Sequence, residues 1–278
     1  MQKYKSKSVA TYREEIRQMF TEKGITLVQG RGILRRDRTV EVRGEDGKEY
    51  YQGTYVLLAA GAKAAIPPIP GSDLPGVVTS DTVLNGKDWN YNRVVIIGGG
   101  VIGVEMATIF NNLCSQVTII ERNDHLLGPM DRQVALELEE DLKRKGINIY
   151  CGAAQISIAR EESLVCTFRD KDQREISQNA GTVLIATGRK PDLSGLFGED
   201  VQMEVKDGKL TVDSNFQTSE PGVYAIGDLT ASTQLAHVAA AQGTYVVEKL
   251  LNKEHSIKLE VGPNGMFVSL PIVPSCIY

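Results

Sequence analysis

Apolar and polar positions alternate in two rhythms along this chain, and the changes of rhythm predict most of its elements. From about Ser8 to Lys23 apolar and charged residues recur at helical spacing, and Gly24 stands where a helix would stop. Ile25-Thr26-Leu27-Val28-Gln29 predicts a strand running into Gly30-Arg31-Gly32, and Thr39-Val40-Glu41-Val42 alternates before the turn residues Glu45-Asp46-Gly47, so a hairpin at a domain edge is expected. Tyr55-Val56-Leu57-Leu58-Ala59 is a continuous apolar run that ends in Ala60-Gly61-Ala62, the pattern of a buried strand meeting a close backbone approach. The proline-rich Ile66-Pro67-Pro68-Ile69-Pro70-Gly71 then breaks the chain.

Beyond Trp89 the pattern becomes strand, helix, strand. Arg93-Val94-Val95-Ile96-Ile97 opens it, a helix follows Gly103 to about Leu113, and Val117-Thr118-Ile119-Ile120-Glu121 is the second strand. Arg132 to Lys145 has helical periodicity with a stop at Gly146, and Ile147-Asn148-Ile149-Tyr150 is a third strand. Such alternation predicts an α/β fold with a parallel, doubly wound sheet. Short strands are expected at Leu164–Phe168, Val183–Ala186 and Val223–Ile226, and a last helix from about Leu235 to Leu251. Leu58-Ala59-Ala60-Gly61 and Ile185-Ala186-Thr187-Gly188 echo each other, as if two related nucleotide-binding folds were closed by one device.

The first strand of the alternating region runs into Gly98-Gly99-Gly100-Val101-Ile102-Gly103. A GxGxxG by itself is weak evidence, but this one follows an apolar strand, opens a helix and precedes an acid about 20 residues on. Gly98 permits the tight turn, Gly100 removes a side chain where a pyrophosphate must approach the backbone, and Gly103 lets helix and strand pack closely. An anion there meets free N–H groups and the positive end of the helix dipole. Glu121, ending the second strand, can accept hydrogen bonds from both ribose hydroxyls and would repel a 2′-phosphate, which favours NAD over NADP despite Arg122 beside it. Glu105 reads either as an acid facing the dinucleotide or as an exposed helical one.

Composition narrows the rest. The 278 residues exceed one average domain. Hydrophobic content of 42%, charged content of 24% and a net charge of -4 are those of an ordinary globular chain, with no electrostatic reason for a nucleic-acid partner and no apolar run near the length of a membrane span. Basic pairs such as Arg35-Arg36 are expected to be solvated surface. The polar start predicts no secretory signal and a cytoplasmic location. Cys114, Cys151, Cys166 and Cys276 lack CxxC or metal-like spacing and read as ordinary thiols, Cys151 and Cys166 being the one pair that neighbouring strands could bring together.

The strings GGGVIGVE (98–105), IATGRKPD (185–192) and VYAIGDLTASTQLAHVAAAQG (223–243) resemble those of the flavin-dependent pyridine nucleotide–disulfide oxidoreductases, most closely the dihydrolipoamide dehydrogenases, over nearly the whole chain. The resemblance implies FAD beside NAD. Asp228 would contact the ribityl or ribose region of FAD, and Gln234, Leu235, Ala236 and His237 would lie against the isoalloxazine; Leu-Ala-His is the detail that favours dihydrolipoamide dehydrogenase over mercuric or glutathione reductase. Gly32, Ala60, Gly61 and Ala62 would line the adenine side of FAD, while Gly188 and Ile156 would touch NAD. Read from the residues alone, Asp228 could equally cap a turn and His237 be a partly buried structural side chain.

Departures from the family pattern are equally informative. Its first GxGxxG, its CxxxxC redox disulfide and its C-terminal interface domain with a His–Glu pair do not appear, so the sequence resembles a middle portion of such a protein. The expected organisation is a partial FAD-binding domain over 1–76, an inserted Rossmann-like NAD-binding domain over 77–192, a return to the FAD-binding domain over 193–252, and a linker with the start of an interface domain over 253–278. The implied activity is hydride transfer between NAD and a lipoamide-type dithiol by way of FAD, on a carrier protein of a 2-oxoacid dehydrogenase complex, in a homodimer; this chain by itself is expected to be catalytically incomplete. Two rivals stay open, a non-catalytic NAD-binding module and a disulfide-free flavin-dependent NADH reductase.

Overall fold

The computed structural model describes residues 2–86, 90–230, 233–257, 259, 262–264, 268 and 275–277. Contacts divide the chain into two compact units, Met1–Gly61 with Pro191–His255, and Ala62–Lys190 with Ser256–Tyr278.

The first unit opens with α1 (Gln2–Glu22). Gly24 ends it with φ +64°, its N–H bonded to the Thr21 carbonyl and that of Ile25 to the Phe20 carbonyl, the paired closure that a left-handed glycine makes possible. From Lys5 to Glu22 no described side chain of α1 is buried. The strand expected over Ile25–Gln29 does not form: that segment has no ladder partner and leaves Ile25 and Leu27 exposed. The sheet begins later, as β1 (Arg31–Arg35), β2 (Thr39–Gly44) and β3 (Gly47–Gln52), three antiparallel strands with Glu45-Asp46 at the tight turn between Gly44 and Gly47.

On the middle strand Glu41 is only 1% exposed, and its carboxylate takes hydrogen bonds from Arg35 (2.5 and 2.9 Å) and Arg43 (2.6 Å) with Lys48 at 3.5 Å. The Arg43 and Arg35 hydrogen bonds outweigh burial and hold its pKa at about 2. Arg35 also reaches Asp200, which accepts the Arg36 N–H, so the Arg35-Arg36 pair is an ordered part of an ion network and not free surface. Next comes β4 (Val56–Leu58).

The second unit starts at β5 (Ala62–Ala64), followed by β6 (Val77–Thr79), α2 (Ser80–Asn85), β7 (Arg93–Ile97), α3 (Val101–Asn112), β8 (Gln116–Ile120), α4 (Arg132–Arg144) and β9 (Asn148–Tyr150). An antiparallel sheet of β10 (Ala154–Arg160), β11 (Leu164–Arg169) and β12 (Glu175–Ala180) precedes β13 (Thr182–Ile185) and β14 (Arg189–Pro191). The proline-rich passage, assigned from sequence to the first segment, is held in this second unit: the Ile158 N–H donates to the Pro70 carbonyl, and a Cβ on Gly71 would lie 2.0 Å from the Ile158 carbonyl oxygen.

Five parallel strands stand in the order β6-β13-β7-β8-β9. Val94 to Ile97 are all 0–2% exposed, as the continuous apolar run requires of a strand covered on both faces. Val94, Ile96 and Ile119 pack with Val104, Phe110, Leu138 and Leu142 of α3 and α4. Val95, Ile97 and Ile120 pack with Ile158, Cys166 and Phe168, so the antiparallel sheet, and not a second helical layer, covers the other face. Each such side chain contributes about 1.5–3 kcal/mol by burial.

On returning to the first unit the chain forms the hairpin β15 (Val205–Lys206) and β16 (Lys209–Leu210), then β17 (Val223–Ala225), a 3-10 turn at Gly227–Leu229 and α5 (Ala236–Leu250). β17 runs parallel to β4, Ala225 opposite Leu58, over a core of Leu34, Val201, Leu210 and Leu229. Most of the stretch 272–278, expected to open a further domain, lies outside the described residues.

Candidate functional site

Between Ile97 and Val101 the chain turns at the carboxyl ends of β7 and β13, where the strand order of the parallel sheet reverses. Ligands of open α/β sheets bind at such a point. The four glycines there do different work. Gly98 has φ +111°, and a Cβ on it would sit 2.4 Å from the Ala186 carbonyl oxygen beyond β13. On Gly99 a Cβ would meet Leu126 at 2.4 Å and Glu121 at 3.0 Å. A Cβ on Gly103 would fall 1.9 Å from the Gly98 carbonyl oxygen, so the helix can approach the turn only there. Around Gly100 no atom lies within 4 Å of that position, leaving open space at the helix start. Gly100 is also the N-cap of α3 and supplies no side-chain cap, so the first-turn N–H groups stay available to an anion. Val101 and Ile102 pack partly against the helical core, and Glu105 is half-buried.

Glu121 is 7% exposed at the end of β8. Its carboxylate accepts the Gly99 N–H at 2.5 Å through Oε2 and the Asn123 N–H at 2.8 Å through Oε1. The acid is thus locked in one orientation beside the glycine turn. Gly188, with φ +114° and open space around its Cβ position, follows β13 on the same side of the sheet; Ile156, on β10, instead packs against the core under the antiparallel sheet. Two clefts of this unit, of about 490 and 330 Å³, surround Arg93 and Gln116 at the amino ends of β7 and β8, away from the glycine turn.

In the first unit the ends of β4 and β17 emerge side by side, one carrying Ala60 and Gly61, the other Asp228. Gly61 has φ +73° and open space around it. Asp228 is half-buried in the 3-10 turn and its carboxylate meets no donor among the described residues. Gln234 and Leu235 are half-buried, while Ala236 and His237 are exposed at the start of α5. Gly32 lies on β1 opposite Val42. Ala62 begins β5 and belongs to the second unit.

Sequence reasoning missed Gln242, buried on α5, whose Oε1 accepts the Gly227 N–H at 2.7 Å and so fixes the turn bearing Asp228. It also missed the ion pair of Asp81 with Arg189 at 3.1 Å. Nothing local marks either: both bridge residues far apart in the chain. The suggested approach of Cys151 to Cys166 fails, because Cys151 packs with the helical core and Cys166 with the opposite one, and both are free thiols. Burial, joined at Cys151 by Glu139 and Glu121, pushes each of them up to about 12. Among the described residues no cluster of His, Cys, Asp and Glu could hold a metal ion, and no helix is long and apolar enough to cross a membrane.

A family model described as pyridine nucleotide-disulphide oxidoreductase matches residues 2–243. The chain belongs to this family. Members are flavin-dependent oxidoreductases that use FAD and NAD(P). The chain is 35% identical over 243 residues to dihydrolipoyl dehydrogenase of Acholeplasma laidlawii, covering 86% of this chain and 69% of that one. To dihydrolipoyl dehydrogenase of Bacillus subtilis it is 30% identical over 278 residues, which is 58% of that protein. The Cu(II) complex of a cysteine-to-serine mutant of RclA, an HOCl-induced flavoprotein disulfide reductase from Escherichia coli, superposes with a TM-score of 0.85 at 26% identity, covering 96% of this chain and 61% of that one. The chain therefore spans less than two thirds of the latter two proteins.

Proposed function

We propose that this chain is the nucleotide-binding portion of a flavoprotein disulfide oxidoreductase of the dihydrolipoamide dehydrogenase type, holding NAD at the 98–103 turn. The observation that carries this reading is the Glu121 carboxylate, buried and held by two N–H donors at the strand end where an adenosine ribose would lie. An oriented acid there accepts ribose hydroxyls and repels a 2′-phosphate. The open positions at Gly100 and Gly188 and the uncapped start of α3 fit a dinucleotide, and Asp228, whose carboxylate meets no donor among the described residues, fits FAD together with the open Gly61. When bound, FAD supplies a two-electron relay between nicotinamide and disulfide. This chain's residues supply the cradle: first-turn N–H groups for the pyrophosphate, Glu121 for the ribose, Asp228 for the flavin's sugar-like chain.

In this reading the dithiol chemistry is not carried by Cys114, Cys151 or Cys166. Cys151 and Cys166 are held as neutral thiols and Cys114 stands alone. Lipoamide is the substrate that the similarity to dihydrolipoyl dehydrogenases suggests; catalytic incompleteness of this chain by itself, homodimerisation and a cytoplasmic setting belong to the same proposal. Calorimetric titration with NADH and NADPH tests the central step. Tighter NADH binding is expected; equal or tighter NADPH binding would show that Glu121 does not hold the ribose.

A further inference from the structure

Asp81 and Arg189 take no part in the glycine turn or the flavin-side turn, yet they tie together the segments that lead to both. Asp81 stands in the first turn of α2, placed there by the edge strand β6. Arg189 follows Gly188 directly and opens β14, which pairs with β5. The Arg189 guanidinium is a fork: Nη1 donates to Asp81 Oδ1 at 3.1 Å and Nη2 to the Ala62 carbonyl. The other carboxylate oxygen of Asp81 accepts the Ala64 N–H at 3.0 Å. One residue on, the Ala65 N–H donates to the Gly188 carbonyl at 2.9 Å, and the Thr187 hydroxyl returns a bond to the Ala65 carbonyl at 3.0 Å. Every bond in this set either joins 62–65 to 187–189 or anchors one of them to Asp81.

We propose that Asp81 and Arg189 are positioning residues that lock the flavin-side segment at Ala62 and the dinucleotide-side segment at Gly188 into one register, so that filling either nucleotide site strengthens the other. This rests on the assignment of Ala62 to FAD and of Gly188 to NAD made above. Each segment has a left-handed glycine at its ligand-side end, Gly61 with φ +73° and Gly188 with φ +114°, and each has open space within 4 Å of its Cβ position, Gly61 being held besides by the Asp192 N–H on its carbonyl at 3.4 Å. The clamp supplies the bonds that join the two segments to each other. Ordering one segment by a bound nucleotide removes conformational freedom from the other through the shared bonds, and the second nucleotide then has less ordering left to do. Burial pushes the Asp81 carboxyl up, but the Ala64 N–H and the Arg189 guanidinium together hold it below the usual carboxylate range, so the pair is charged at neutral pH. Because the side chains are 43% and 26% exposed, the ion pair by itself adds little to stability, and removing it leaves the fold standing.

The test uses the full chain with NAD⁺ and FAD, so that no hydride moves. NAD⁺ affinity is measured with and without saturating FAD, and FAD affinity with and without saturating NAD⁺, in the wild type, Asp81→Asn, Arg189→Gln and Arg189→Lys. In the wild type each nucleotide should tighten the other by about fivefold or more, by the same factor in both directions. All three variants should keep the wild-type melting temperature and lose that ratio, Lys included, because one ammonium cannot replace a fork that spans two acceptors. Variants that retain the ratio would overturn the clamp while leaving the nucleotide sites as assigned. A wild-type chain that binds both nucleotides independently would overturn the coupling, and one that binds neither would overturn the proposed function and the clamp with it.

Discussion

Replacing Glu121 by Gln separates the two tasks that its carboxylate performs. In the wild type two backbone donors, the Gly99 N–H at 2.5 Å and the Asn123 N–H at 2.8 Å, point at two acceptor oxygens. An amide offers one carbonyl oxygen and one NH2, so whichever way it is turned one buried N–H faces another donor. The cost of leaving a buried donor unpaired is about 1–3 kcal/mol. For a unit of roughly 150 residues, with an unfolding entropy of about 2.1 cal/mol/K per residue, that lowers the melting temperature by about 3–10 °C. Binding should change separately: a neutral side chain makes weaker bonds to ribose hydroxyls and no longer repels a phosphate, so NADH affinity falls about tenfold and the preference over NADPH shrinks. Differential scanning fluorimetry reads the first effect and calorimetric titration the second. An unchanged melting temperature would refute the hydrogen-bond reading. A lowered melting temperature with unaltered affinities for both nucleotides would show that Glu121 braces the glycine turn and does nothing else.

Gly100→Val should fold with near-wild-type stability, since nothing lies within 4 Å of the added Cβ, and should lose NADH affinity by at least a hundredfold in the same titration. The pKa of Glu41, at about 2 against an ordinary 4.5, is depressed in the folded chain, so its contribution to stability is fully present above about pH 4.5 and is lost as the pH falls toward 2. Urea midpoints followed by circular dichroism should therefore fall more steeply between pH 5 and 2.5 in the wild type than in Glu41→Gln. With a thiol-exchange dye at pH 8 the exposed Cys114 should react within minutes, while Cys151 and Cys166 react only on unfolding; reaction of either in the native chain would contradict pKa values near 12.

The parallel-sheet unit was legible because its strands are buried on both faces and its helices on one, which writes an unbroken apolar run at Val94–Ile97 and a periodic one across 132–144. The glycine turn was legible because its spacing stands directly between an apolar strand and a helix, although the neighbours of Gly98 and Gly99, Ala186 and Leu126, lie elsewhere in the chain. The antiparallel sheet was harder. β12 reads Glu-Ile-Ser-Gln-Asn-Ala, and only its inward residues carry a signal. At Ile25–Gln29 the opposite error arose: a run of strand-forming residues has no partner to pair with, and propensity without a partner makes no strand. The Asp81–Arg189 pair spans 108 positions, and Gln242 serves a turn 15 residues away, so both are products of tertiary geometry that no local pattern announces.

The division of labour among the turn glycines bears on how such a sequence can drift. Gly98 and Gly103 are fixed by backbone oxygens at 2.4 and 1.9 Å from a would-be Cβ, so any lineage that keeps this fold must keep them, whereas Gly99 faces only the tip of the Leu126 side chain at 2.4 Å. Gly100 is bounded by nothing in the chain and its φ of -74° suits any residue, so only a ligand can forbid a side chain there. A descendant that abandoned nucleotides would be free to fill that position while Gly98 and Gly103 stood still. The glycines of this motif therefore form two independent records, one of descent and one of use, and a genome that preserves the first while erasing the second marks a scaffold that has outlived its cofactor.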